Sequence, residues 1–425
     1  MPQNILLAVT GMSPQVITET LYAIHKNDLD WPDRIEVVTT RLGKNKVMEG
    51  LLNQGFLGQL CQDYDRAVPQ FSEQTIHVVP DANGQPVDDA RTLEDHEALA
   101  DFITKTVCEL TADDDQGAPN RLHASLAGGR KTMTFYLGYA MSLFGRLNDR
   151  LSHVLVSQPF EGLPDFYYPT PGSTPLVNRE GVQLDARDAE VVLADIPFVR
   201  HREYLPKAFK HLRNGLKFRD LIDLINMGAE PQAIRVILDD DTSSLRVQRE
   251  GVQYHATVPM GLAAYAFYRM LIRLNQSRSM RVRRPTGKES DEELAYAYMA
   301  EVFDLLGIPF SSRKTLAQLV DTFAEADSEA DKAFEVTTRT ISSLTAGMKA
   351  HFLSTRVNEI SSDLATALPD RLHSLLVPRQ LQLGFQKVTE AELKADNVTA
   401  VQGGGYMTML DAGQFEVPAL GNQGL

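Results

Sequence analysis

The first two hundred residues alternate short continuous apolar runs with longer stretches whose apolar positions recur at helical spacing. Ile5 to Thr10 reads as a buried strand, and Gln15 to His25 follows with Val16, Ile17, Leu21 and Ile24 on one helix face. Arg34 to Thr40 gives a second strand, about 46–64 a helical pattern, and Thr75 to Val79 a third strand. Asp81-Ala82-Asn83-Gly84 carries turn chemistry, and about 93–110 reads as a helix. Asp113-Asp114-Asp115 with Gly117 and Pro119 predicts an acidic surface loop. Leu122 to Leu126 is then a strand, Lys131 to Phe144 a long apolar helix, and Val154-Leu155-Val156 another strand. Alternation of this kind predicts an α/β fold with a mostly parallel sheet and helices on both faces.

Beyond about residue 200 the pattern changes, which predicts one domain over 1–200 and a helix-rich domain over 201–425. Lys207 to Leu224 is helical with several cations, and Ser244 to Val258 alternates around Glu250-Gly251 like a hairpin. Gly261 to Leu274 is apolar enough for a core helix, and Phe352 to Leu368 also reads as a helix. Leu381-Gln382-Leu383 and Tyr406 to Leu410 are expected to pair as strands across Gly403-Gly404-Gly405. Helices with hairpins make a winged-helix-like pattern. A loop carrying Arg278, Arg281, Arg283, Arg284 and Lys288 is basic, and its two readings are a DNA contact through phosphates, shared with Arg356, or a solvated linker.

Composition narrows the function classes. The 425 residues, 43% hydrophobic and 23% charged, suit two globular domains. No run approaches the roughly 18 apolar residues that span a bilayer, and no basic, apolar leader opens the chain, so a cytoplasmic protein without a membrane partner is expected. Cys61 and Cys108 are too few for a disulfide framework or a zinc site and read as buried thiols. No metal ligand set and no cofactor are expected. A formal charge of -14 argues against general attraction to nucleic acid, so an anionic ligand must meet a local positive pocket.

Two glycine-rich phrases carry the chemistry. Thr10-Gly11-Met12-Ser13-Pro14 ends the first strand, and Leu126-Ala127-Gly128-Gly129-Arg130-Lys131-Thr132-Met133 joins a later strand to its helix. In an open α/β sheet both turns open at the carboxyl edge, where helix N-termini collect anions. The two glycines allow close backbone approach, while Arg130 offers a forked donor and Lys131 a point charge for phosphate. The spacing is not that of a Walker loop. Cations at a helix start oppose its dipole, which favours a ligand role over simple solvation. Ser13 suits an N-cap before Pro14, a role compatible with ligand contact, and neither a triad nor a Gly-x-Ser-x-Gly motif supports a serine hydrolase.

Ala8-Val9-Thr10-Gly11-Met12-Ser13-Pro14-Gln15 together with Ser125 to Met133 resembles the CARF domains of type III CRISPR systems, in particular their ring nucleases, over roughly the first 200 residues. The resemblance implies a Rossmann-like domain that binds cyclic oligoadenylate as a homodimer, with cyclic tetraadenylate the family's commonest ring. It implies that Ser13 and Lys131 are catalytic and that Thr10, Gly11, Met12, Gly128, Gly129, Arg130 and Thr132 bind the ligand. A further family cation has no motif to place it, and Arg41 and Lys44 are candidates. The implied reaction uses the ribose 2′-hydroxyl as nucleophile, so neither metal nor histidine is obligatory. The competing class is a pocket that senses the ring without cutting it and passes the signal to a DNA-binding module. A ribonuclease output of the HEPN type needs Arg, four to six residues, then His; Arg91…His96, Arg146…His153 and Arg249…His255 satisfy the spacing, none on a convincing C-terminal helix.

Overall fold

The computed structural model describes residues 3–112, 120–178, 180–206, 217–252, 254–277, 282–286, 288–330, 334–381 and 405–421. The acidic loop at 113–119, the first part of the stretch at 207–224, Arg278, Arg281, Gln382, Leu383, Gly403 and Gly404 lie outside these residues. The chain divides into two compact units, the first reaching Leu205 and the second occupying Asp220 onward.

The first unit is built on a six-stranded sheet. Its strands are β1 (Asn4–Val9), β2 (Arg34–Thr39), β3 (Ile76–Val78), β4 (Arg121–Ser125), β5 (Arg150–Val156) and, after a small hairpin of β6 (Pro175–Val177) and β7 (Gln183–Asp185), β8 (Val191–Asp195). The order is β3-β2-β1-β4-β5-β8, parallel throughout except that β8 runs antiparallel to β5. β1 lies at the centre with Ile5 to Val9 almost wholly covered, which is why its sequence is continuously apolar rather than alternating. The order reverses direction between β1 and β4, and in such sheets that point opens a crevice at the carboxyl edge.

Helices α1 (Gln15–Lys26), α2 (Arg41–Val47), α3 (Phe56–Asp63), α4 (Leu93–Leu110) and α5 (Lys131–Phe144) complete the unit. The single helix expected over about 46–64 is divided. Thr40 caps α2 by accepting a hydrogen bond from the Gly43 N–H, Met48–Asn53 widens into π-helical turns, and Gly55 turns left-handed at φ 78° before α3. The edge strand β8 and the hairpin β6–β7 add to the expected elements: the hairpin strands are three residues each and partly exposed, whereas β8 carries a short apolar run, Val191 to Ala194. Cys61 and Cys108 are both buried thiols, and burial pushes both up, Cys108 to about 12.

In the second unit β9 (Ile234–Asp239), β10 (Ser244–Arg249) and β11 (His255–Pro259) form an antiparallel meander, so the expected hairpin is present. It sits in a larger sheet, ordered β11-β10-β9-β16, after two short pairs, β12 (Ser290–Asp291) with β13 (Met348–Lys349) and β14 (Arg379–Leu381) with β15 (Gly405–Met407), and β16 (Phe415–Glu416) lies parallel to β9. The β14–β15 pair begins before the expected strands, with Arg379 opposite Met407. Helices α6 (Phe218–Met227), α7 (Leu262–Ser277), α8 (Glu292–Leu305), α9 (Leu316–Glu329), α10 (Thr338–Ser342), α11 (Ala350–Ala367) and α12 (Asp370–Leu376) make this part of the chain helix-rich. On α7 the fully buried Arg269 donates to Glu301, Asp304 and Asp240 at 2.7, 2.7 and 2.9 Å, and Arg273 adds a 2.7 Å pair with Glu301.

Two features of the first unit generate tests. A Cβ on Gly43 would lie 2.0 Å from Thr39 Oγ1 and 2.6 Å from the Gly11 carbonyl oxygen. Gly43→Ala should therefore destabilise the protein by about 1–3 kcal/mol in urea unfolding, as overpacking does; an unchanged midpoint would mean that the β1 turn relaxes freely. Glu19 on α1 is buried, no described residue hydrogen-bonds its side chain, and burial, with repulsion from Glu161 second, pushes its carboxyl up to about 8. A raised acid favours folding while protonated, so its contribution is complete below the unfolded value near 4.5 and is lost as pH rises toward 8. Glu19→Gln should raise the melting temperature more at pH 9 than at pH 5, as checked by thermal scans at both.

Candidate functional site

The β1 and β4 turns meet at the carboxyl edge because their strands are neighbours, with Ala8 opposite Ser125. Gly11 faces Gly129 so closely that a Cβ on Gly11 would lie 3.7 Å from the Gly129 Cα. A Cβ on Gly128 would approach the Val9 carbonyl oxygen to 2.8 Å and Val16 Cγ2 to 2.9 Å, and Gly129 holds φ 80°, which favours glycine. The first turn is braced from within. Thr10 is fully buried, its hydroxyl donates to the Ser13 carbonyl at 2.9 Å, and its own carbonyl accepts from the Thr39 hydroxyl at 2.7 Å. Thr10 thus shapes the turn rather than facing solvent.

Ser13 and Met12 are exposed, and no described residue hydrogen-bonds the Ser13 hydroxyl. The cap position of α1 is taken by Pro14, with no side-chain cap, so the capping role open to Ser13 in the sequence is not used. Lys131 is the first residue of α5, exposed, and forms no ion pair with a described residue. The structure therefore brings a free hydroxyl and a free ammonium to adjacent turns at the start of two helices, whose N-termini favour anions.

The other cations are engaged. Arg130 grips Asp89 through Nε at 2.9 Å and Nη2 at 2.6 Å, and that hydrogen bonding, with Arg91 adding to it, holds the Asp89 carboxyl below its usual range. Arg41 pairs with Asp88, and Lys44 with Glu73 at 2.8 Å. Thr132 hydrogen-bonds His96 Nδ1 at 3.2 Å, which places an imidazole beside the glycine turn. Asp88, Asp89 and this role of His96 escaped the sequence reading, since each depends on contacts with residues remote in the chain; the Arg91…His96 spacing did bring His96 into view. Arg146 is clamped by Asp149, while Arg249 and His255 lie on β10 and β11. Arg356 pairs with Glu359 at 2.8 Å and stacks on Phe352, so it is turned to its own helix rather than to a phosphate. Arg283, Arg284 and Lys288 of the basic loop are exposed.

A cavity of about 580 Å³ opens at the opposite, amino edge of the sheet, among Asn4, Arg121, His123, Arg150 and Arg200. Its cations are internally satisfied: Arg121 by Asp30, Arg150 by Asp195, and Arg200 by the carbonyls of Arg146 and Asp149. Burial pushes His123 down to about 4, and it hydrogen-bonds Ser152. With these arginines occupied, the glycine turns remain the better site for an anion. Among the described residues no group of three or more His, Cys, Asp or Glu side chains could hold a metal ion, and no helix is long and apolar enough to cross a membrane.

No curated protein matches the sequence. Among solved structures, one from Listeria monocytogenes, provisionally described as a UDP-N-acetylglucosamine 2-epimerase, is similar at 15% identity over 36% of this chain and 31% of that one, so the chain spans about a third of its length. With a TM-score of 0.20 that likeness carries no argument. The family model for CRISPR-associated protein NE0113 matches residues 13–227, a span that holds Ser13, the whole β4 glycine turn and half of the chain, and the protein therefore belongs to the CRISPR-associated protein NE0113 family.

Proposed function

We propose that this protein binds cyclic oligoadenylate, with cyclic tetraadenylate the leading ring, at the β1–β4 crevice and cleaves it without a metal. The observation that carries the proposal is that the Ser13 hydroxyl and the Lys131 ammonium, neither paired with a described residue, stand on adjacent turns at the switch point. Membership of a CRISPR-associated family and the likeness of both turns to ring nucleases support the ligand. Gly11, Gly128 and Gly129 let the two turns pack against β1 and one another, and the two helix N-termini favour the charge of a phosphodiester backbone.

In the reaction the 2′-hydroxyl attacks the adjacent 3′-phosphate in line. The O2′–P bond forms, the P–O5′ bond breaks, the proton leaves O2′ and a proton is gained at O5′. The products carry a 2′,3′-cyclic phosphate and a 5′-hydroxyl. Lys131 stabilises the charge that develops on the phosphoryl oxygens, and Ser13 orients the ribose or phosphate. A homodimer of these units suits a ring with two-fold symmetry.

Lys131→Ala should lower the single-turnover rate by about 10²–10³ while leaving the melting temperature close to wild type, since it removes a preorganised charge from an exposed position. Mass analysis of cyclic tetraadenylate products supplies the readout, and an unchanged rate in a folded variant removes Lys131 from the chemistry. Cleavage should also persist in excess EDTA, because the nucleophile belongs to the substrate. Loss on chelation with recovery in magnesium or manganese would replace this mechanism with a metal-dependent one.

A further inference from the structure

The segment from Pro80 to Arg91 leaves β3 and runs across the carboxyl edge as a strap. Its Val87 N–H donates to the Val79 carbonyl, and its Val87 carbonyl accepts from the Arg41 N–H at 2.9 Å, which fixes it over the start of α2. The next two side chains reach apart. Asp88 takes Arg41, through Nη2 at 2.9 Å, and Asp89 takes Arg130 through Nε and Nη2, with Arg91 Nε adding a 2.9 Å bond. Arg41 follows β2 and Arg130 follows β4, so the two arginines flank the β1 turn that presents Ser13. One loop thus delivers two adjacent carboxylates to two cations on either side of the candidate site.

We propose that Asp88 and Asp89 occupy two phosphate subsites, at Arg41 and Arg130, and that a polyanionic ligand enters by displacing them. The identity of that ligand as cyclic oligoadenylate rests on the function proposed above; the two anion subsites do not. The energetics permit exchange. Arg41 and Asp88 are 59% and 61% exposed, and exposed pairs of this kind hold only weakly. Arg130 and Asp89 are more covered, at 45% and 27%, and bonded at two nitrogens, so this is the firmer half of the latch. A phosphate forms the same forked, charge-assisted bonds with arginine as a carboxylate does. Because both carboxylates sit on one strap, a single small anion competes with two tethered groups, whereas a ligand carrying several phosphates replaces both at once. The strap therefore selects for multivalent anions.

The test titrates the full-length protein and Asp88→Asn/Asp89→Asn with labelled cyclic tetraadenylate and, separately, with tripolyphosphate. Removing the competing charges should tighten binding by about tenfold. Adding Arg130→Ala to the double variant should abolish the gain. Tighter tripolyphosphate binding with no binding of the ring by either protein would uphold the subsites and remove cyclic oligoadenylate as the ligand. Equal or weaker binding by the double variant would overturn the proposal and make the carboxylates positioning groups for the arginines. Failure of both proteins to bind either anion would overturn it as well. If the double variant unfolds early, Asp88→Asn alone, at the exposed pair, must show the same sign of change.

Discussion

Close approach of three backbone segments at the carboxyl end of β1 is the constraint on which the site depends. The end of β1 lies between Gly43 of α2, where even a methyl group would collide with the Gly11 carbonyl, and Gly128 of the β4 turn, where one would collide with the Val9 carbonyl. Strand pairing alone sets neighbouring strands roughly 5 Å apart, but it does not bring the turns beyond them together. The absent side chains do that, and Thr10 and Thr39 then fix the first turn with buried hydroxyl donors. Ser13 and Lys131, far apart in sequence, are thereby carried on adjacent turns.

Electrostatics sets the crevice apart from the rest of the surface. In a chain of formal charge -14, cations at the carboxyl edge attract internal carboxylates, and Arg41, Lys44 and Arg130 have each found one. Lys131 has found none among the described residues, although its position at a helix start opposes the helix dipole. An unpaired cation in an unfavourable field is held there by the fold rather than by its own energetics. A phosphate at this point would relieve the conflict with both the lysine and the helix N-terminus, which neither a carboxylate on the strap nor water does as completely.

The central strand was legible because a doubly covered strand is apolar without interruption, as Ile5 to Val9 shows. Helices such as α1 and α5 were legible from periodicity, and the two glycine turns from composition. The edge strand β8 went unassigned although Val191-Val192-Leu193-Ala194 is apolar, because a run that short does not by itself separate a strand from a piece of helix or linker. The division of α2 from α3 was hidden as well, because apolar residues keep helical spacing on both sides of the left-handed turn at Gly55. Ser13 and Lys131 could be selected from sequence, but the pairing of Arg130 with Asp89 could not. Composition reports that both charges exist; only the path of the strap decides that they meet.

The contrast between the two units shows why exposure, rather than the number of ion pairs, marks where an anion can bind. Arg269 in the second unit is wholly buried and holds Glu301, Asp304 and Asp240 together. Removing one partner from such a cluster strands a charge in a poor solvent, a cost of about 3–5 kcal/mol, so the network works as a fixed joint between α7, α8 and the end of β9. The pairs on the strap have the same chemical composition and the opposite character. Water already solvates Arg41 and Asp88, so exchanging carboxylate for phosphate requires little desolvation. The same arginine–carboxylate chemistry thus locks a core in one unit and leaves a replaceable contact in the other, and it is the replaceable contact that lies beside the hydroxyl and the ammonium.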